Sequence, residues 1–298
     1  MGTVKPVAGV VDVQTLWTSA FFRWTLAASL WVQEPAVPQA FIRVFVFFAV
    51  VLVCGAASAA DIKVLISAGF FKVYSDLGPS FEKSTGHKLV TTRGPSVGDS
   101  PEAIPARLAR GEEADVVIMD GVGIDLLDQR ALSRPGSRVP LAESFIGMVV
   151  RSGEPKPDIS TVDGLRKTLL AAKSIAYSDS SSGTYLSTIG FKKLGVADEV
   201  AGKSRKVRGP PSGEPVAAVV ARGEAEIGFQ QVAELINVPG TDFVGTVPSD
   251  VQPPTLFEGA LPKDSRQVDA AQALLRFLSS PEAAGVITKA GLKPLAPR

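Results

Sequence analysis

The stretch Asp61–Arg93, DIKVLISAGFFKVYSDLGPSFEKSTGHKLVTTR, decides the fold class. Its opening, DIKVLISAG, predicts a buried strand, because the apolar residues form a short run. VYSDLGPSFEKSTG then predicts a helix that is closed by Gly86, and HKLVTTR predicts a second strand. A strand, a helix and a further strand in succession are typical of a βαβ unit in a parallel sheet.

The same alternation continues along most of the chain. Further strands are predicted at ADVVIMDG, SFIGMVVRS, SIAYS and AEIGFQQ, and further helices at SPEAIPARLARGE, GIDLLDQRAL, TVDGLRKTLLAA, GEPVAAVVARGE and SRQVDAAQALLRFLSSPEAAGVITKAG. This pattern predicts an α/β fold with mostly parallel sheets and helices on both faces. Ligands bind such sheets beyond the carboxyl ends of the strands. The loops after LISAG, VTTRG, IAYSD and IGFQQ are therefore the candidate binding loops.

Residues 1–60 are predicted to be a leader. Within it, FIRVFVFFAVVLVCGAASAAD carries Arg43, an apolar run from Val44 to Val53, and a small-residue site at 57–59. This is the pattern of a secretory signal at about 41–60, and it predicts export to the periplasm. An N-terminal membrane anchor is the alternative, although the run is short for a membrane span. The only cysteine, Cys54, belongs to the leader, so the mature chain has no disulfide.

The mature chain is electrically balanced from Asp61 onward. The leader holds three of the 31 basic and two of the 30 acidic residues, so 28 of each remain. Such a chain, without a basic stripe, is not typical of nucleic-acid binding, and no nucleic-acid partner is expected. Its one histidine, His87, lies in a predicted turn, where we expect it to be solvated, and it cannot build a histidine-rich zinc site. We expect no metal and no cofactor.

GPSVG at residues 94–98 matches the G-x-S-x-G pattern of a hydrolase nucleophile, and it follows a predicted strand. That chemistry needs an acid and a histidine downstream of the serine. His87 lies upstream of Ser96, and no histidine follows it. A hydrolase triad is therefore excluded, and the groups left at the strand ends favour binding.

The stretch YSDSSSGTYLSTIGFKKLG, Tyr177–Gly195, places small polar residues where a predicted strand meets a helix expected at Thr184–Leu194. Ser181 or Ser182 could cap that helix. Alternatively, the free N–H groups of its first turn could bind an anion. Gly183 would then let the backbone approach the ligand.

Four stretches resemble the periplasmic molybdate-binding proteins of ABC importers: DIKVLISAGFFKVYSDLGPSFEKSTGHKL, RLARGEEADVVIMDG, VVARGEAEIGFQQ and LLRFLSSPEAAGVITKAGL. The resemblance implies a type II periplasmic binding protein fold, with two α/β lobes joined by hinge strands. One lobe would hold 61–142 plus 248–298, and the other 143–247. It also implies a monomer that closes over a small anion and delivers it to an ABC permease.

The resemblance and the strand ends together give a set of candidate ligand-binding residues. Those of the first lobe are Ser67, Ala68, Gly69, Arg93 and Ser96, and those of the second are Ser181, Ser182, Gly183, Thr184, Tyr185, Gln230 and Gln231. Gly69 stands where the family has a serine, and Gln230 or Gln231 where it has a tyrosine. Arg93 could offer a planar fork to a carboxylate, or could be a surface arginine at a strand end.

Two functions follow from this sequence. The first is a periplasmic solute-binding protein of an ABC-type importer, with a molybdate-like oxyanion or a small organic acid as ligand and no catalytic residue. The alternative comes from a Ser-Ala-Gly subgroup of the same framework, which includes an aconitate isomerase that moves a double bond within a tricarboxylate. Such an isomerase needs a base with a pKa near neutral, and Asp179, Tyr185 or Tyr177 would have to provide it.

Overall fold

The computed structural model describes residues 59–295. Its strands are β1 (Asp61–Ile66), β2 (Lys88–Arg93), β3 (Val116–Asp120), β4 (Val139–Ser144), β5 (Ile146–Arg151), β6 (Ile175–Ser178), β7 (Ser204–Val207), β8 (Ile227–Gln231), β9 (Thr241–Thr246), β10 (Thr255–Ala260) and β11 (Lys293–Pro294). Apart from its last two residues, the predicted leader lies outside the described residues.

The helices alternate with these strands. They are α1 (Ala68–Thr85), α2 (Ile104–Ala109), α3 (Gly121–Gln129), α4 (Val162–Ala171), α5 (Ser181–Tyr185), a π-helical turn (Leu186–Gly190), α6 (Phe191–Lys193), α7 (Ala197–Ala201), α8 (Val216–Ala221), α9 (Val232–Leu235), α10 (Val268–Leu278), a 3₁₀ turn (Pro281–Ala283) and α11 (Ala284–Lys289). Within residues 59–295, no helix is both long and apolar enough to cross a membrane.

The first sheet has the strand order β11-β4-β10-β3-β1-β2 and forms the core of lobe 1. β1 pairs in parallel with β2 and β3, whereas β10 is antiparallel to β3 and β4. Side chains alternate across β1: Ile62, Val64 and Ile66 pack under α1 and α10, and Leu65 faces the opposite layer with Ile124. Helices therefore cover both faces of this sheet.

The second sheet has the order β7-β6-β8-β5-β9 and forms the core of lobe 2. β6 is parallel to β7 and β8, and β5 is antiparallel to β8 and β9. Met148 on β5 packs in one buried cluster and its neighbour Val149 in another, so this sheet too is buried on both faces. The α/β class and the two lobes are confirmed, and each sheet combines the predicted parallel pairs with antiparallel strands.

The chain passes between the two sheets twice, at Phe145 and in residues 247–254. The predicted lobe boundaries, at 142/143 and 247/248, lie close to these crossings and remain proposals. Gln252, which is buried, connects the crossings: its Oε1 accepts the Ile146 N–H at 2.7 Å, and its Nε2 donates to the Val247 carbonyl at 2.7 Å and the Ile146 carbonyl at 3.1 Å.

Three local predictions differ from the structure. Ala68 and Gly69 belong to the first turn of α1 and not to the preceding strand, because Ser67 takes the N-cap position. The helix expected at Thr184 begins at Ser181. His87 is buried and not solvated, since its Nδ1 accepts the Ala60 N–H at 3.2 Å and its ring packs against Phe81.

Candidate functional site

Three polar residues come together in lobe 1 at the carboxyl ends of β1, β2 and β3. Ser67 and Ser96 were predicted ligand-binding residues, and Asp120 was not. Ser67 directly follows β1, and its N–H donates to the Ile118 carbonyl of β3 at 2.9 Å. Ser96 lies beyond β2, and its Oγ accepts the N–H of Asp120 at 3.2 Å. Ser67, Ser96 and Asp120 are all buried, whereas most serine and aspartate residues in proteins are exposed.

The hydroxyl of Ser67 is enclosed and has no hydrogen-bond partner among residues 59–295. An enclosed polar group without a partner costs about 1–3 kcal/mol, so such groups mark places where a ligand or water binds. Ser67 precedes an 18-residue helix whose first-turn N–H groups face the same end. Its hydroxyl is thus available to a bound anion.

Gly69 is explained by packing. A Cβ atom at this position would lie 2.2 Å from the Cζ atom of Phe257, so the ring of Phe257 fills the space that a side chain would need. Phe257 is itself buried beside Phe70. Phe257 therefore occupies the space where the resemblance to the molybdate-binding family implies a serine hydroxyl.

A first cluster of hydrogen bonds joins the two lobes, and we name it the Asp120 cluster (Ser96, Asp120 and Ser181). Asp120 Oδ1 accepts the Gly123 N–H at 3.0 Å and so caps α3. Its Oδ2 accepts the hydroxyl of Ser181, from lobe 2, at 2.5 Å. A cavity of about 260 Å³ lies beside this bond and is lined by residues of both lobes, including Asp120, Ser181, Ser182 and Tyr185. Each oxygen of the Asp120 carboxylate thus accepts one hydrogen bond.

The neighbours of Ser181 stabilise the junction of β6 with α5. Ser182 Oγ lies 3.0 Å from Ser178 Oγ, and the Gly183 N–H donates to Ser178 Oγ at 3.3 Å. Thr184 is exposed, and the Tyr185 hydroxyl donates to the Val251 carbonyl at 2.8 Å. The helix N-cap is Ser180, which makes no side-chain capping bond. Capping by Ser181 or Ser182 is thus not observed. Through their side chains, Ser181 reaches Asp120 of lobe 1 and Tyr185 reaches Val251 in the second crossing.

The two glutamines at the end of β8 point in different directions. Gln230 Oε1 accepts the Val216 N–H at 3.1 Å, and its Nε2 donates to Glu234 Oε2 at 2.5 Å. Gln231 Nε2 donates to Thr255 Oγ1, on lobe 1, at 3.0 Å, and its Oε1 is enclosed without a partner. Gln230 therefore faces Glu234 on α9, and Gln231 faces Thr255 at the start of β10.

A second cluster, the Glu234 cluster (Arg93, Gln230 and Glu234), also combines residues of both lobes. Arg93 ends β2, and its guanidinium carbon lies 4.3 Å from the centre of the Phe71 ring. Its Nε is enclosed without a partner, and the guanidinium forms no hydrogen bond or ion pair with any of residues 59–295. Burial lowers the pKa of Arg93, whereas the charge of Glu234 opposes that shift. Arg93 stays cationic, with unused donors.

Burial raises the pKa of Glu234 to about 8, the negative charge of Asp179 adds to the shift, and the positive charge of Arg93 opposes it. At neutral pH the carboxyl is mainly protonated, which is rare for a glutamate. Neither Glu234 nor Asp120 was among the predicted site residues. The sequence signal for Glu234 is an acid within the apolar run VAEL directly after the strand end IGFQQ.

The three groups proposed from the sequence as bases have other contacts, although Asp179 Oδ2 makes no hydrogen bond within residues 59–295. Asp179 Oδ1 accepts the Gly209 N–H at 3.1 Å. Tyr177 packs edge-on against Phe191, and Tyr185 donates its hydroxyl proton to Val251. Within the described part of the chain, no group of three or more His, Cys, Asp or Glu side chains could hold a metal ion.

Comparison with known families agrees with this two-lobed geometry. Residues 62–293 match the family model described as bacterial extracellular solute-binding protein. The chain belongs to this family. The solute-binding protein also superposes on the Azotobacter vinelandii periplasmic molybdate-binding protein with a TM-score of 0.64 and 23% sequence identity, over 80% of this chain and 100% of that one. The predicted relationship to molybdate-binding proteins is confirmed.

Two relatives of the solute-binding protein differ in the function that their names state. An aconitate isomerase from Pseudomonas sp. is 48% identical over 232 residues, which is 78% of this chain and 87% of that protein. A molybdate-binding protein ModA from Azotobacter vinelandii is 28% identical over 247 residues, or 80% of this chain and 92% of that protein.

Proposed function

We propose that this protein is an isomerase that moves the double bond of an unsaturated tricarboxylic acid of the aconitate type. The observation that carries the proposal is Arg93, a cation at the end of β2 whose donors have no partner in the described chain. A guanidinium with free donors is suited to bind a carboxylate. The 48% identity with an aconitate isomerase supports the same ligand class.

The details of lobe 1 favour a carboxylate over a tetrahedral oxyanion. The molybdate-binding family holds its ligand with hydroxyl and N–H donors and uses no full positive charge, as the resemblance implies. Here Phe257 fills the space of one family hydroxyl, at Gly69, and Arg93 adds a charge. The Ser67 hydroxyl remains as a neutral donor for a second carboxylate of the same ligand. Together these changes suit a ligand with several carboxylates and an apolar carbon chain.

The direct test is conversion of aconitate by the purified protein. We expect trans-aconitate and cis-aconitate to reach the same equilibrium mixture from either side, followed by proton NMR and by the ultraviolet absorbance of the conjugated acid. Heat-denatured protein is the matched control. The proposal is wrong if the protein binds aconitate but leaves the ratio of the two isomers unchanged.

The second candidate is the solute-binding subunit of an ABC-type importer, working with a permease. Its support is the fold and the 28% identity with a molybdate-binding protein. A thermal-shift series with molybdate, tungstate, sulfate, phosphate, citrate and both aconitates separates the two. A ligand present at a hundred times its Kd adds about 2.7 kcal/mol of stability. Stabilisation by molybdate and tungstate, without aconitate turnover, would favour the importer subunit.

Both functions fit export. We propose that the protein works in the periplasm as a monomer after removal of a signal sequence at about 41–60, as the apolar run in the leader suggests. Intact mass of the protein recovered from the periplasmic fraction is the test, and a mass that includes residues 1–40 would contradict it.

A further inference from the structure

Glu234 lies where the two lobes meet. It is on α9, which directly follows β8 and packs against α1 of lobe 1 as well as β5 of lobe 2. The charged groups that act on it are Arg93, from the end of β2, and Asp179, from the loop after β6. No charged group on α1, β5, β8, α8 or β9, the elements packed against α9, contributes to its shift. Residues of both lobes therefore determine the surroundings of Glu234.

Gln230 fixes the orientation of this carboxyl. Because the Val216 N–H donates to Gln230 Oε1 at 3.1 Å, the amide cannot be reversed without losing that bond. Its Nε2 must then point at Glu234, to whose Oε2 it donates at 2.5 Å. Glu234 Oε1 makes no hydrogen bond with residues 59–295 and is not among the enclosed polar atoms that lack a partner. One oxygen is thus held by Gln230, and the other makes no hydrogen bond within the described residues.

The geometry leads to an inference that rests on the proposed isomerase function. We propose that Glu234 is the catalytic residue that carries the proton during isomerisation, through Oε1, with Gln230 as its positioning residue and Arg93 as the cation that binds the substrate carboxylate beside it.

The step is a proton shift between two carbons. The ionised Glu234 removes a proton from the CH₂ carbon, and the C–H electron pair joins the conjugated system to give a carboxylate-stabilised carbanion. The new carboxyl then returns a proton to the former vinyl carbon, the double bond moves by one position, and the glutamate is ionised again. No oxidant, metal or cofactor takes part in this balance. Arg93 stabilises the negative charge as it spreads onto the bound carboxylate.

The electrostatics suit this task. A base is most effective when its pKa lies near the working pH, and the pKa of Glu234 is raised to about 8 by burial. Only the ionised form removes the first proton, so kcat/KM is expected to rise with pH and to level off above about 8. Glu234 thus takes the role of the base for which Asp179, Tyr185 and Tyr177 were the candidates predicted from the sequence.

The test compares Glu234→Gln with the wild type and with Glu154→Gln, a matched change of an exposed glutamate on lobe 2. Conversion of trans-aconitate gives kcat, and calorimetry with citrate gives a Kd that does not depend on turnover. We expect Glu234→Gln to lose at least about 100-fold in kcat, the lower range for general acid–base catalysis. The Kd for citrate should stay within about threefold, because the neutral amide mimics the protonated carboxyl. Glu154→Gln should match the wild type.

The two proposals fail in different ways. If the wild type converts aconitate and Glu234→Gln retains more than a tenth of its kcat, the role of Glu234 is overturned and the isomerase function stands. If the wild type converts neither isomer, both are overturned. Citrate binding by the variant shows that it is folded, so loss of kcat is not loss of structure.

Gln230→Met tests the positioning role. Loss of the Nε2 donor removes a bond that favours the ionised carboxylate, so the pKa seen in the kcat/KM profile should rise by about one unit. A residue that only supports the fold would lower the amount of active protein at every pH and leave the profile in place. An unshifted profile would therefore overturn the role of Gln230.

Discussion

The Asp120 and Glu234 clusters, which both contain residues of the two lobes, differ in how their polar atoms are used. In the Asp120 cluster, both carboxylate oxygens of Asp120 and its N–H have partners, one of them Ser181 of the other lobe. In the Glu234 cluster, the Arg93 cation and the mainly protonated Glu234 carboxyl form no ion pair, Arg93 Nε is enclosed without a partner, and only Glu234 Oε2 is hydrogen-bonded.

The difference in hydrogen bonding indicates which cluster supports the fold and which one binds a ligand. A buried polar group with all its bonds made stabilises one arrangement, whereas an unpaired one costs free energy unless a ligand completes it. The Asp120 cluster is therefore interpreted as part of the scaffold that connects the closed lobes. The Glu234 cluster is interpreted as the place where the substrate supplies the missing partners.

The largest expected effect is on the scaffold side, at Gly183. A Cβ atom there would lie 1.8 Å from the Ser178 carbonyl oxygen, so Gly183→Ala must displace the backbone of β6 or α5. We expect a loss of about 3 kcal/mol in unfolding free energy, measured by urea denaturation. Gly202→Ala is the control, because nothing lies within 4 Å of its added Cβ, and it should change stability by less than about 0.5 kcal/mol. Equal effects at both positions would contradict a packing role for Gly183.

Arg93→Gln tests the ligand side. It should weaken citrate or aconitate binding by roughly 30-fold, or about 2 kcal/mol, the usual worth of a hydrogen bond to a charged group. Stability without ligand should fall by less than about 1 kcal/mol, because Arg93 has no ion pair to lose and only its cation–π contact with Phe71 is removed. Calorimetry measures the Kd, and Arg166→Gln, an exposed arginine on α4, serves as the control. The comparison of the clusters breaks down if Arg93→Gln unfolds the protein but leaves affinity unchanged.

The pH dependence of the unfolding free energy tests whether Glu234 has a raised pKa in the folded protein. The pKa of its carboxyl is raised from 4.5 to about 8 in the folded protein, so between these values the folded state binds one more proton than the unfolded state. Its contribution to stability is complete below pH 4.5 and is lost as the pH rises to about 8, at up to about 1.4 kcal/mol for each pH unit.

The measurement is the unfolding free energy of the wild type minus that of Glu234→Gln, taken without ligand from pH 5 to pH 8.5. We expect this difference to fall steadily with pH and to flatten above about 8. Glu154→Gln should give a flat difference, because that glutamate is exposed and paired with Arg151. Parallel profiles for the wild type and Glu234→Gln would contradict a raised pKa.

The smallest effect is expected at Ser181. Ser181→Ala removes the bond to Asp120 that joins the lobes, worth about 1 kcal/mol. If that bond favours the closed form, citrate affinity should fall about fivefold, because binding must then close the lobes against a less favourable equilibrium. The kcat of aconitate conversion should be unchanged, and Ser75→Ala, which alters only a bond within α1, should have no effect.

The sequence predicts most strands of the two sheets, but it misses several strands beside the crossings between the lobes. Apolar runs separated by helical segments give β1, β2, β3, β5, β6 and β8, and all of these except β2 are largely buried. β4 (VPLAES), β9 (TDFVGT) and β10 (TLFEGA) were not predicted, since they contain proline, glycine or charged residues. They are also antiparallel additions next to the crossings, which the alternation of strands and helices does not indicate.

The candidate site was only partly accessible to sequence reasoning. Strand ends place Ser67, Arg93 and Ser96 in one region, because parallel strands end at the same edge of a sheet. The direction of a side chain is a tertiary property, and Ser182 turns toward Ser178. The raised pKa of Glu234 likewise comes from burial and from the charge of Asp179, which is distant in the sequence, so no local pattern could give it.

Gln252 has a consequence for how the lobes move. Two independent connections would let the lobes twist and slide as well as bend. Because one buried amide binds Ile146 of the first crossing and Val247 of the second, the connections move together. We therefore expect opening and closing to be mainly a rotation about one axis, which returns Glu234 to the same position relative to Arg93. The proposed isomerase needs that reproducibility on every turnover, whereas a carrier needs only to enclose its cargo.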